Sequence, residues 1–163
     1  MNMNHINGRL HQVMVALLAM VACLLTACDK DETTYMDQPF VRIATEQGTS
    51  SVVVKTDVKN INTYNVILSA PRQTDNLTVD YEVTVGDGLQ AGVDFEMVTT
   101  GNSLLFLPGI FDMPIRIQWL PHKVDPTKDN TIRIRLTGNS KNYNLGMPGP
   151  DHLQSELVIE KQN

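Results

Sequence analysis

Cysteine is nearly absent from this chain, with two residues in 163. Two thiols exclude a multi-disulfide framework, and no Cys-x-x-Cys pair is present to build a structural zinc site. Aromatic residues are scarce: one tryptophan, four tyrosines and four phenylalanines. Positive charge is also in deficit, with 13 Lys and Arg against 18 Asp and Glu and a formal net charge of −5. That balance argues against a nucleic-acid partner, because phosphate-backbone binding rests on clustered Lys and Arg. No apolar run reaches the roughly 20 residues needed to span a bilayer. No Gly-x-Ser-x-Gly elbow, His-Glu-x-x-His helix or phosphate-cradling loop is found. A carboxylate pair of the glycosidase kind is the one chemistry that sequence leaves open, since its members meet only in space. The expectation is that the protein is not an enzyme.

What is present begins with location. Residues 13 to 25 (VMVALLAMVACLL) form the longest apolar stretch, preceded by Arg9 and by no acidic residue. A basic start, a short apolar segment and small residues at its end describe a secretory signal peptide, expected over 1–27. Leu25-Thr26-Ala27-Cys28 resembles the bacterial lipobox, in which an aliphatic residue and two small ones precede a cysteine. The resemblance implies cleavage before Cys28, a thioether-linked diacylglycerol on its sulfur and an acylated amino terminus. A single acyl chain holds a protein only marginally, and stable anchoring takes two or more. The three chains of a mature lipoprotein meet that need, with the outer membrane as the implied partner. Cys23, inside the apolar run, would leave with the signal. All 18 acidic residues follow the apolar run and only Arg9 of the basic ones precedes it, so the mature chain carries 18 against 12, a formal charge of −6.

Residues 28–38 read as the lipidated cysteine and a polar, aperiodic tether. From Pro39 to the end the texture is β. Leu77, Val79, Tyr81, Val83 and Val85 alternate with polar residues, the period of a half-buried strand. Ile115-Arg116-Ile117-Gln118-Trp119 and Ile132-Arg133-Ile134-Arg135-Leu136 alternate likewise. Further short strands are expected at 40–44, 51–55, 61–70, 94–98, 104–107 and 157–159, divided by Gly, Pro and Asn turn signals. The expectation is an all-β, antiparallel, immunoglobulin-like β-sandwich of about seven to nine strands over 39–163.

Four motifs in order, Tyr81-Glu82-Val83-Thr84, Ala91-Gly92-Val93-Asp94-Phe95, Leu104-Leu105-Phe106-Leu107-Pro108-Gly109 and Ile115-Arg116-Ile117, resemble a Calx-beta domain. The resemblance implies a sandwich and, in transporter members, calcium held by clustered carboxylates. Its acidic position maps to Asp94. The family's later acidic run is replaced here by Leu120-Pro121-His122-Lys123-Val124-Asp125, and Glu46 is the only other ligand in view. Calcium takes six to eight oxygens, so no metal and no cofactor is expected, and Asp94 is read as capping its own turn. A lipoprotein bearing such a sandwich also resembles small lipoproteins of Bacteroidota that accompany glycan-uptake machinery. There a Lys and two acidic residues after the cysteine resemble a surface-export signal, which maps to Lys30, Asp31 and Glu32.

The function expected is a non-catalytic, surface-exposed outer-membrane lipoprotein, a binding or accessory module for a glycan or a protein. The alternative is a structural or adhesion subunit of an outer-membrane complex. Trp119 shares a parity with Ile115 and Ile117 and is assigned to the core, as are Phe95, Phe106 and Tyr81. Phe111 and Tyr143, in loops, are the candidate ligand-binding rings. The segment Ser140 to Asp151 is taken as a long loop on a rigid scaffold, with Leu120 to Asn130 as a second candidate.

Overall fold

A computed structural model describes residues 38 to 163 apart from residue 58. Cys28, Lys30, Asp31 and Glu32 lie outside the described residues. Ten strands follow in order: β1 Phe40–Ala44, β2 Ser51–Lys55, β3 Asn60–Ser69, β4 Leu77–Val85, β5 Phe95–Met97, β6 Ser103–Phe106, β7 Asp112–Trp119, β8 Thr131–Asn139, β9 Asn144–Leu145 and β10 Glu156–Gln162. They make two five-stranded sheets, ordered β5-β7-β3-β1-β9 and β2-β10-β8-β4-β6. The all-β sandwich is therefore as expected. Two of its pairings are parallel, β1 with β9 and β2 with β10. β9 is the strand that composition did not show. Its two residues are too short for a period, and they divide the presumed 140–151 loop at Asn144–Leu145.

Alternation becomes packing in the expected sense. Ile132, Ile134 and Leu136 of β8 point inward and are buried, while Arg133 and Arg135 point out. Leu157 and Ile159 of β10 meet them from the next strand, and Val41, Ile43, Tyr64, Val66 and Leu68 close the core from the other sheet. Each such side chain contributes about 1.5–3 kcal/mol on leaving water. Trp119, Phe106, Phe95 and Tyr81 are all core, with Phe95 and Trp119 tilted at 51° and 6.2 Å between centroids. β4 keeps its register with β8 through a bulge, where Thr137 is the extra residue between Asp80↔Gly138 and Tyr81↔Leu136. Leu107 to Ile110 forms a tight turn closed by the Ile110 N–H to the Leu107 carbonyl at 3.0 Å, and Gly109 supplies the φ of +85° that its third position requires.

β1 and β2 run in the same direction but lie in different sheets. The chain leaves the first sheet after Ala44, turns through Thr45 to Thr49, and joins the second sheet beside β10. β5 and β6 repeat this manoeuvre on the opposite flank. The 146–155 connection passes from β9 to β10 along the flank of β1, where the Gly146 N–H meets the Val41 carbonyl and the Ile43 N–H meets the Gln154 carbonyl, and the remaining connections gather at two ends. At one end, the near end, are the start of β1 and the connections 70–76, 107–111 and 140–143. At the far end are 56–59, 86–94, 120–130 and Asn163. β3, ten residues long, spans the interval, about 34 Å at the usual strand rise.

Candidate functional site

The one buried ionic cluster among the described residues is at the far end. Asp94 closes the 86–94 connection just before β5 and is 3% exposed. Its Oδ2 accepts the Gln90 N–H at 2.9 Å, which caps its own turn. Its Oδ1 accepts Lys161 Nζ at 3.0 Å and lies 2.9 Å from His122 Nδ1. Lys161 follows Leu157 and Ile159 on the inward face of β10, so its side chain is fully buried. Nζ donates two further bonds, to the Asp94 carbonyl at 3.2 Å and the Leu120 carbonyl at 3.0 Å. Three donors and three acceptors leave the ammonium fully satisfied. His122 covers the pair from the solvent side, its ring 55% exposed.

Burial pushes the Asp94 carboxyl upward. The Gln90 N–H, His122 and Lys161 together outweigh that push and hold it below the usual carboxylate range. The carboxylate is thus charged and committed. Glu46 lies elsewhere, in the turn between β1 and β2. Asp125 is turned toward Thr127, whose hydroxyl and N–H it accepts at 2.7 and 2.9 Å, and those bonds lower its pKa. Among the described residues no three His, Cys, Asp or Glu side chains converge in a way that holds a metal ion. Lys161 is the residue that sequence reasoning missed. The pattern Leu157-x-Ile159-x-Lys161 carries the signal, an ionisable residue on the inward parity, but the expected strand 157–159 stops two residues short of it.

The neighbouring loop is pinned on all sides. The Asn163 side chain accepts the Val124 N–H at 3.1 Å and donates to the Val124 carbonyl at 3.0 Å. Asn130 Nδ2 donates to the Asp125 carbonyl at 2.7 Å, and the Asp129 N–H donates to Asp87 Oδ1 at 3.0 Å. Gly86 lies against this loop so closely that a Cβ there would meet the Asp129 carbonyl oxygen at 2.2 Å.

Phe111 and Tyr143 are at the near end. Phe111 is 37% exposed and its carbonyl accepts the Leu68 N–H. Tyr143 is half-buried, packs on the core and donates its hydroxyl to Gln73 Oε1 at 2.8 Å. The strand order β7-β3-β1-β9 separates them by three strand spacings, about 14 Å. The structure places the two rings on one end without bringing them together.

No protein-family model matches the chain, and no curated protein matches it. Solved structures do. The crystal structure of CBD12 from CALX1.2 is 20% identical with a TM-score of 0.53, over 75% of this chain and 43% of that one. The Calx CBD2 domain is 10% identical with a TM-score of 0.49, over 75% and 85%. A structural-genomics protein of unknown function from Bacteroides ovatus is 9% identical with a TM-score of 0.49, over 75% and 46%. This chain spans less than half of the CBD12 chain. The likeness to CBD12 supports a Calx-beta-like fold.

Proposed function

We propose that this Calx-beta-like sandwich is the head of an outer-membrane lipoprotein of the Bacteroidota kind, lipid-anchored at Cys28, exported to the cell surface and acting there as a non-catalytic binding or accessory module. The observation that carries the reading is the placement of the chain's entry. Residue 38 leads into β1 at the near end, and the far-end loops lie about 34 Å away along β3. A chain tethered through 28–38 would enter the sandwich at the near end and leave the far end and the sheet edges free for partners. The far-end carboxylate is satisfied by Lys161, so the module is read as working without calcium or any other cofactor. Rigid strands carrying loops are a common platform for protein or glycan recognition. The test is radiolabelled palmitate incorporation together with protease shaving of intact cells. Label and shaving sensitivity are expected in the wild type, and label is expected to vanish in Cys28→Ala. An unlabelled wild type would overturn the anchor, and a labelled but protease-resistant domain would overturn surface exposure.

A further inference from the structure

The β1–β2 and β5–β6 sheet switches leave two strand edges behind, and the molecule treats them differently. On β7, the edge vacated by β5 is closed. Arg116 donates its N–H to Thr99 Oγ1 at 2.9 Å, and its carbonyl accepts the Val98 and Thr99 N–H groups. Pro114, two residues earlier, has no N–H to satisfy, and its carbonyl accepts the Thr99 hydroxyl at 3.3 Å. On β3, the edge vacated by β1 is open. Pairing with β1 stops at Ala44↔Asn65, and Asn60 to Tyr64 are paired only with β7. Leu68 donates toward the β7 side, so alternate residues back to Asn60 do the same. The N–H and C=O groups of Ile61 and Thr63 therefore face the vacated side. Among the described residues no strand pairs with them there, and no side chain stands in as Thr99 does on β7.

Natural sheets guard exposed edges with charge, proline, a bulge or extreme shortness. Of the other edge strands, β5 has three residues, β9 two and β6 four, and β2, with five, ends in the charged Lys55. The stretch Asn60-Ile61-Asn62-Thr63-Tyr64 has no charge and no proline. It lines a cleft of about 350 Å³, whose other walls are Thr45 to Gln47 and Val52. A second hollow of about 200 Å³ adjoins it at Asn60 and Asn62.

We propose that this edge binds an extended peptide segment of a protein partner by strand addition, antiparallel to β3, in the slot that β1 leaves. Four main-chain groups in pairs about 6.8 Å apart match another β-strand. The edge is recessed between the Thr45–Gln47 turn and β2, so a single strand reaches it while the equally recessed edge of a second copy does not. A glycan would look for a ring face, and Tyr64 and Trp119 are 2% and 1% exposed. The lining is amide and hydroxyl except for Glu46, Val52 and Ile61, which suits an uncharged segment of alternating hydroxyl and aliphatic residues. The proposal rests on the binding-module reading and names its partner class. It concerns the sandwich alone, so it is tested independently of Cys28.

The test is residue-resolved amide hydrogen exchange on the full chain, titrated with a capped heptapeptide of alternating threonine and valine between terminal lysines. In the free chain Ile61 and Thr63 exchange fast while Asn62 and Tyr64 are protected. At saturation, exchange at Ile61 and Thr63 slows by about tenfold or more. Thr63→Pro removes one outward N–H and Ile61→Lys adds an edge charge. Each abolishes the slowing while leaving Asn62 and Tyr64 protected, which certifies the fold. Four results overturn the proposal: slow exchange at Ile61 and Thr63 in the dilute free chain, no slowing at millimolar peptide, protection that rises with protein concentration alone, or a soluble oligosaccharide that shifts the Asn60 and Asn62 side-chain amides where the peptide does nothing.

Discussion

The two ends of the sandwich are held by different physics. The far end is organised around a buried charge pair, Asp94 and Lys161, whose members are 67 residues apart in sequence. The near end is tied by exposed and half-buried hydrogen bonds and holds no buried ion pair among the described residues. Asn139 there fixes the Tyr143 main chain, accepting its N–H at 2.9 Å and donating to its carbonyl at 2.8 Å, while Gln73 collects the Tyr143 hydroxyl. A buried charge left without its partner is costly, whereas a neutral group at a surface can turn to water. The far end is therefore the end that a single substitution breaks, and the near end is the one that absorbs change.

Lys161→Met tests that contrast with the largest effect. It strands the Asp94 carboxylate in the core, and chemical denaturation should show a loss of about 3–5 kcal/mol. The double change Lys161→Met with Asp94→Asn removes both charges and should recover a good part of that loss. Gly86→Ala comes next. Its Cβ must displace the 120–130 loop, and the cost should be about 1–3 kcal/mol. At the near end, Tyr143→Phe removes only the bond to Gln73 and should cost about 0.5–1.5 kcal/mol. Phe111→Ala should be close to neutral in the same assay.

Acid sharpens the same comparison. The Asp94 pKa is lowered on folding, so between its folded value and the unfolded value of about 3.9 the unfolded chain binds more protons. Its contribution to stability is complete above the unfolded value and is lost as pH falls through the folded one. A denaturation series across this range should be steeper for the wild type than for Asp94→Asn.

Local features were legible in sequence and remote ones were not. The alternation of Leu77 to Val85 and the Pro108-Gly109 turn are written within a few residues, and both hold, although Val85 at the end of the run is 39% exposed. The sequence alone does not place Tyr64, because β3 carries apolar residues on both parities and only its even positions face the core. Asp94 was visible as the acid of a turn, and one of its oxygens does cap that turn. The other oxygen takes its meaning from Lys161 and His122, which no local pattern joins to it. The open edge of β3 was invisible for a related reason. It exists only because β1 changes sheets at Thr45, a fact of topology that the residues 60–64 do not themselves carry.

At the far end the Lys161 ammonium holds the Asp94 carboxylate that a metal would need. The most direct measurement is thermal melting of the purified chain in calcium and in chelator. The melting temperature should be the same in both. A rise of several degrees in calcium would contradict this, because it would mean that the Asp94 carboxylate remains available to a metal despite Lys161.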